Sequence, residues 1–155
     1  MKRFTKTRTL VLITFLLLVT ISASAVERPF ALSGAGVATL ITDDAGRLIG
    51  AIPTGSGTAT HLGRWTVVGN VNYTPDNNGV LRSSGVATIT AANGDTLQVQ
   101  IDGILDPVAA VDQGVFRIIG GTGRFTGATG DAKFVVSINP LTGGFELTLV
   151  GKIDY

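Results

Sequence analysis

Apolar and polar residues alternate with period two through most of the chain after residue 26, and no stretch carries apolar residues at helical spacing over three turns. Trp65, Val67, Val71 and Tyr73 share one face, with Arg64, Thr66, Asn70 and Asn72 opposite. Leu97, Val99 and Ile101 oppose Gln98, Gln100 and Asp102, and Phe134, Val136 and Ile138 oppose Lys133 and Ser137. Phe145, Leu147, Leu149 and Ile153 oppose Glu146, Thr148, Lys152 and Asp154. Turn chemistry separates these runs at Thr74-Pro75-Asp76-Asn77-Asn78-Gly79, at Asn93-Gly94 and at Asn139-Pro140-Leu141-Thr142-Gly143-Gly144. The pattern predicts eight strands at 30–42, 57–63, 64–73, 80–91, 95–105, 114–119, 130–138 and 145–154. The second and third are the least well separated, because Gly63 reads either as a turn or as a bulge.

Short links between successive strands imply an antiparallel meander. One apolar face on every strand favours closure into a single all-β, eight-stranded barrel, since closure removes the sticky edges of an open sheet. A two-sheet sandwich satisfies the same periodicity. An eight-stranded barrel is narrow, so its interior is filled by side chains or holds one small ligand. Trp, Tyr, Phe, Leu and Ile fall on the inward faces, so such a cavity is apolar.

The first 25 residues read as a secretory signal peptide rather than as part of the domain. Lys2, Arg3, Lys6 and Arg8 precede the apolar run Leu10 to Ile21, and Ala23-Ser24-Ala25 is an A-x-A cleavage site. The apolar run is short of the roughly 20 residues that cross a bilayer. Cleavage after Ala25 and a secreted or periplasmic location are therefore expected, with 26–155 as the barrel domain and no lasting membrane insertion. The leader holds four of the 12 Lys and Arg, which leaves 8 basic against 11 acidic residues and a net charge of −3. Nothing in that balance suggests nucleic acid. Without cysteine there is no thiol chemistry and no disulfide, so the domain rests on its core.

Gly120, Gly121, Gly123, Gly127 and Gly130 crowd one segment between two apolar runs. The stretch Ile119-Gly120-Gly121-Thr122-Gly123-Arg124-Phe125, followed by Ala128-x-Gly130, resembles the G-G-T-G-x-F…A-x-G signature of dirigent proteins. It is similar to the corresponding stretch of allene oxide cyclases, which share a superfamily of eight-stranded antiparallel barrels. Small exported bacterial proteins of unassigned activity also look similar, through Thr60-His61-Leu62-Gly63-Arg64 and Ala91-Ala92-Asn93-Gly94-Asp95. The resemblance implies a barrel that is often trimeric, needs no metal or organic cofactor and admits an apolar ligand at one end. Allene oxide cyclases and dirigent proteins use acidic groups inside the barrel. No Asp or Glu falls on the inward faces above, and Asp102 falls outward. The glycine run itself reads as structural, folding over one mouth while Phe125 plugs the core.

Other chemistry is sparse. His61 is the only histidine, a candidate general base or ligand contact at the mouth; a structural histidine bonding loop carbonyls is the favoured reading. One His and no Cys build no zinc site, and Asp43-Asp44 lacks the spacing of a calcium loop. The glycine run fails the dinucleotide pattern at its last position and lacks the phosphate-loop lysine. The alternating C-terminal run also suits an outer-membrane strand, but the mature chain has too few aromatics for two girdles.

Three functions follow. The first is a cofactor-free module for a small apolar ligand, with Trp65 and Tyr73 as lining and His61, Arg64 and Arg124 as polar rim groups. It requires a cavity of a few hundred Å³. The second is a cofactor-free cyclase or isomerase using His61 or an acidic residue as base. The third is a packed structural oligomer, its interior filled by Phe116, Phe134 and Phe145.

Overall fold

The computed structural model describes residues 26–76 and 79–155; the expected signal peptide, with its expected cleavage site at Ala25, and residues 77 and 78 lie outside them. Eight strands follow in order: β1 (Arg28–Thr42), β2 (Leu48–Ala59), β3 (Gly63–Pro75), β4 (Leu81–Ala91), β5 (Thr96–Asp106), β6 (Val111–Gly121), β7 (Thr129–Ile138) and β8 (Gly144–Asp154). Each pairs antiparallel with its chain neighbours, and β1 pairs with β8 to close the barrel. Closure rules out the sandwich.

The largest departures from the sequence pattern fall in the second and sixth strands. The second strand begins at Leu48 rather than residue 57. Its inward positions, Ala51, Pro53, Gly55 and Gly57, are too small or too irregular to print an apolar stripe. Pro53 has no N–H to donate, and the β2–β3 register passes over Ile52 and Pro53. Gly63 is the first residue of β3 after a tight turn, with a φ of 67° that suits glycine, so it marks a turn and not a bulge. The sixth strand starts three residues earlier than expected, at Val111, which matters for the site.

The inward faces form one continuous core that includes Phe30, Trp65, Ile89, Leu97, Phe134 and Leu149. Outward positions of β2 to β5 carry Thr54, Ser56, Thr66, Asn70, Thr88 and Gln98, all exposed. Exposed apolar residues, among them Ile52, Val68, Val86 and Ile104, are interspersed with them; the apolar interior differs from the polar interior of a membrane barrel.

The barrel is too narrow for aromatic rings on every strand, and glycine solves the problem. Gly34 faces Gly57 across β1 and β2, and the Trp65 ring lies over both. A Cβ on Gly57 would sit 2.8 Å from Trp65 Cζ2. Gly36 faces Gly55 in the same ladder, and the Phe145 ring covers that pair, 2.8 and 3.0 Å from the two Cβ positions. The rings lie against bare backbone that any other residue would push them away from.

Candidate functional site: a capped barrel with an internal carboxyl

The two ends of the barrel differ. The strand directions put the β2–β3, β4–β5 and β6–β7 turns at one end, together with the start of β1 and the finish of β8. That end is capped. The glycine run folds across it through a short 3-10 turn, Gly123–Phe125, and Phe125 and Leu62 are fully buried beneath. Positive φ at Gly120, Gly123, Gly127 and Gly130 lets the chain double back. Arg124 fastens the cap. Its guanidinium donates to the His61 carbonyl, its Nε lies 3.7 Å from Asp95 Oδ2, and its backbone N–H donates to the same carboxylate at 3.3 Å.

His61 belongs to this cap. Its Nε2 lies 2.9 Å from the Pro29 carbonyl oxygen, which accepts and therefore fixes the proton on that nitrogen. Its ring meets Tyr155 edge-on at 5.7 Å, and Tyr155 packs in turn against Phe125 and beneath Arg28. Arg64 is exposed on the outer wall. His61, Arg64 and Arg124 therefore do not line the interior and are not brought together with Tyr73.

The interior holds a cavity of about 70 Å³, lined by Trp65 and Tyr73 among apolar side chains. It is smaller than the few hundred Å³ that the ligand-binding reading required, which counts toward the packed structural barrel. The reason is crowding by Phe116, Phe134 and Phe145, with the first two rings 4.6 Å apart. A water needs roughly 10–15 Å³, so the space suits about five waters, and a six-membered ring enters only if lining side chains move apart.

One lining residue is a carboxylate that the sequence pattern did not place. Asp112, near the start of β6, is buried with its side chain inside the barrel, toward the end opposite the cap. Ser83, also buried, donates to Asp112 Oδ1 at 2.7 Å. Tyr73 pairs with Ser83 across β3 and β4, so three polar groups meet on one inner wall. Burial raises the Asp112 carboxyl above its ordinary value, against the Ser83 hydroxyl and the Gln113 backbone N–H, which pull it down. Burial, and secondarily the Asp112 charge, pushes the Tyr73 phenol well up, so it stays protonated. A readable signal existed: counting back by twos from Phe116 through Gly114 reaches Asp112. Among the described residues no group of three or more His, Cys, Asp or Glu is placed to hold a metal ion.

A closed eight-stranded meander with a glycine-rich cap and an apolar interior is a dirigent-like barrel. Two solved structures share this fold, both pterocarpan synthase dirigent proteins. GePTS1 is 15% identical over 83% of this chain and 84% of that chain, with a TM-score of 0.50. PsPTS1 is 11% identical over 83% of this chain and 94% of that chain, with a TM-score of 0.53. At such identities the likeness establishes the fold. No family model matches the chain, and no curated protein matches it.

Proposed function

We propose that the protein is an exported, cofactor-free binding module that takes a small, single-ring apolar molecule into its barrel. One observation carries the reading: a buried carboxyl and a phenol, Asp112 and Tyr73, stand in a cavity whose other walls are apolar. Apolar lining with a few convergent polar groups is what small-molecule sites provide. Folding alone gives no reason to bury an ionisable carboxyl there, where replacement by an apolar residue would spare its desolvation. The apolar interior, unlike the polar one of a membrane barrel, supports a water-facing barrel. The glycine-run likeness to dirigent proteins and allene oxide cyclases supports a ligand entering one end, and the leader supports export, for which N-terminal sequencing should find Val26 first. Exposed Val68 and Val150 on the outer wall are candidate contacts in a homotrimer.

Native mass spectrometry of the mature protein purified from its host tests the binding reading. A retained small molecule, lost in Asp112→Asn or Tyr73→Phe, is expected. A clean apoprotein that takes up no single-ring compound on titration would favour the packed structural barrel instead.

A second reading rests on Asp112 itself. Burial favours the protonated form of Asp112, and a protonated carboxyl in a dry cavity can donate a proton, the requirement of a cofactor-free isomerase or cyclase. Turnover that falls as Asp112 ionises, and disappears in Asp112→Asn while binding persists, would separate that reading from binding alone.

A further inference from the structure

The two ends of the barrel treat their apolar turn residues in opposite ways. At the capped end Leu62 and Phe125 are buried. At the other end Val108, in the β5–β6 turn, is 95% exposed, and Leu141, in the β7–β8 turn, is 94% exposed. These two turns share one construction. In Asp106-Pro107-Val108-Ala109 the Asp106 carboxylate accepts the Val108 and Ala109 backbone N–H groups at 2.8 and 3.0 Å. In Asn139-Pro140-Leu141-Thr142 the Asn139 side-chain carbonyl accepts those of Leu141 and Thr142 at 3.0 and 3.3 Å. A side-chain acceptor and a proline thus hold each tip in shape, and a large aliphatic residue stands where turns ordinarily place Asn, Asp, Ser or Gly. The tips are neighbours, since the Ile138 N–H at the base of one donates to the Ala110 carbonyl of the other at 2.9 Å. The next hairpin round the mouth, β1–β2, adds Leu40, Ile41 and Ile49, all exposed.

Single exposed aliphatics are ordinary, whereas a group on three adjacent hairpins at one end marks a surface that meets something. A knob exposed on nearly every side is covered only by a socket or by a medium that closes around it. A second copy offers a poor socket: the depression of about 560 Å³ on the outer wall is lined by Arg82, Asp102, Arg117 and Asp131 among others. Charge narrows the choice of medium. Asp43, Asp44, Asp76 and Asp106 stand at this end against Arg47 and Arg82, and Arg47 is paired with Asp43 at 2.7 Å. Without a basic excess, an anionic surface has nothing to attract. We propose that this end docks reversibly on a lipid surface without net charge. Val108 and Leu141 enter the headgroup boundary, the barrel stays in water, and the mouth faces the lipid. This goes beyond the binding function proposed above and does not depend on it.

Vesicles of phosphatidylcholine are the probe. The chain has no cysteine, so Val108→Cys, Leu141→Cys and, on the outer wall of β4, Thr88→Cys each carry a single environment-sensitive fluorophore. Vesicles should shift the emission of the two tip labels to the blue and leave that of Thr88→Cys unchanged. Unlabelled mature protein should float with the vesicles. Val108→Asp or Leu141→Asp should lower its partition coefficient at least about tenfold, the loss of one buried aliphatic side chain. Both tips are exposed, so the melting temperatures of these variants should match wild type. Protein that stays unbound at every lipid concentration would overturn the proposal, as would binding that requires phosphatidylglycerol or Asp variants that bind as wild type does. A blue shift that appears without vesicles and grows with protein concentration would assign the tips to a second copy instead.

Discussion

Ser83 on β4 reaches across β5 to donate to Asp112 on β6 at 2.7 Å, and it passes over Gly103, its own cross-strand partner. A Cβ on Gly103 would lie 2.7 Å from Ser83 Oγ and 2.7 Å from Phe134 Cζ. The polar pair and the aromatic packing thus depend on the same missing side chain. Gly103→Ala should destabilise the barrel by about 1–3 kcal/mol through overpacking. Denaturant unfolding would show it, and a variant as stable as wild type would mean that Ser83 and Phe134 move aside without loss.

The Asp112 carboxyl makes a signed prediction for pH. Its folded-state pKa lies above the ordinary value of 3.8, so the folded protein holds this proton more tightly than the unfolded chain. Its contribution is therefore greatest in acid and is lost as pH rises from that value through the folded-state pKa. Other carboxylates follow their own trends, so the useful quantity is the difference between wild type and Asp112→Asn. The variant should gain stability relative to wild type as pH rises from about 3 to neutral. Melting temperatures across that range check it, and a difference that does not change with pH would contradict the burial argument.

Ser83→Ala tests the same pair from the other side. It removes the donor and leaves the buried carboxylate short of a partner, at a cost of about 1–3 kcal/mol near neutral pH. The cost should shrink in acid, where Asp112 is protonated. Parallel unfolding curves at the two pH values measure this, and an equal loss at both would point to packing alone.

The seat of Trp65 is as tight as that of Phe134. Gly57→Ala should push the indole off β2, cost about 1–3 kcal/mol and shift the single tryptophan's emission to the red. An unshifted spectrum with unchanged stability would show that the ring does not depend on the glycine pair.

At the cap, Phe125→Ala and Arg124→Ala separate packing from charge. Phe125 is fully buried, so its truncation should cost about 3–5 kcal/mol. Arg124 is half exposed, and its ion pair with Asp95 should contribute at most about 1 kcal/mol. Thermal unfolding ranks the two. The reverse ranking would make the guanidinium, and not the phenyl plug, the element that closes this end.

Legibility followed the size of inward side chains. In β5, β7 and β8, large residues such as Leu97, Phe134 and Leu149 alternate with polar ones, so faces could be read directly. In β2 the inward residues are small because rings from β3 and β8 occupy the space in front of them. The apolar signal of that wall is therefore written on other strands. Asp112 was hidden for a related reason. Asp112-Gln113-Gly114 has loop composition, and only the ladders with β5 and β7 extend the strand through it. His61 and Arg124 drew attention as isolated polar residues, but their partners, Pro29, Asp95 and each other, come from distant strands and turns that spacing cannot relate.

Seven of the eight ladders join strands adjacent in sequence, and only the β1–β8 seam joins the two ends of the domain, pairing Arg28 with Ile153. Hairpins between neighbours can form early and independently, whereas the seam must wait for a loop of almost the whole domain to close. Until then the sheet presents two free edges, each able to pair with another chain. The seam is therefore the ladder with the largest loop-closure cost, and any state in which it is open exposes both edges of the sheet to other chains.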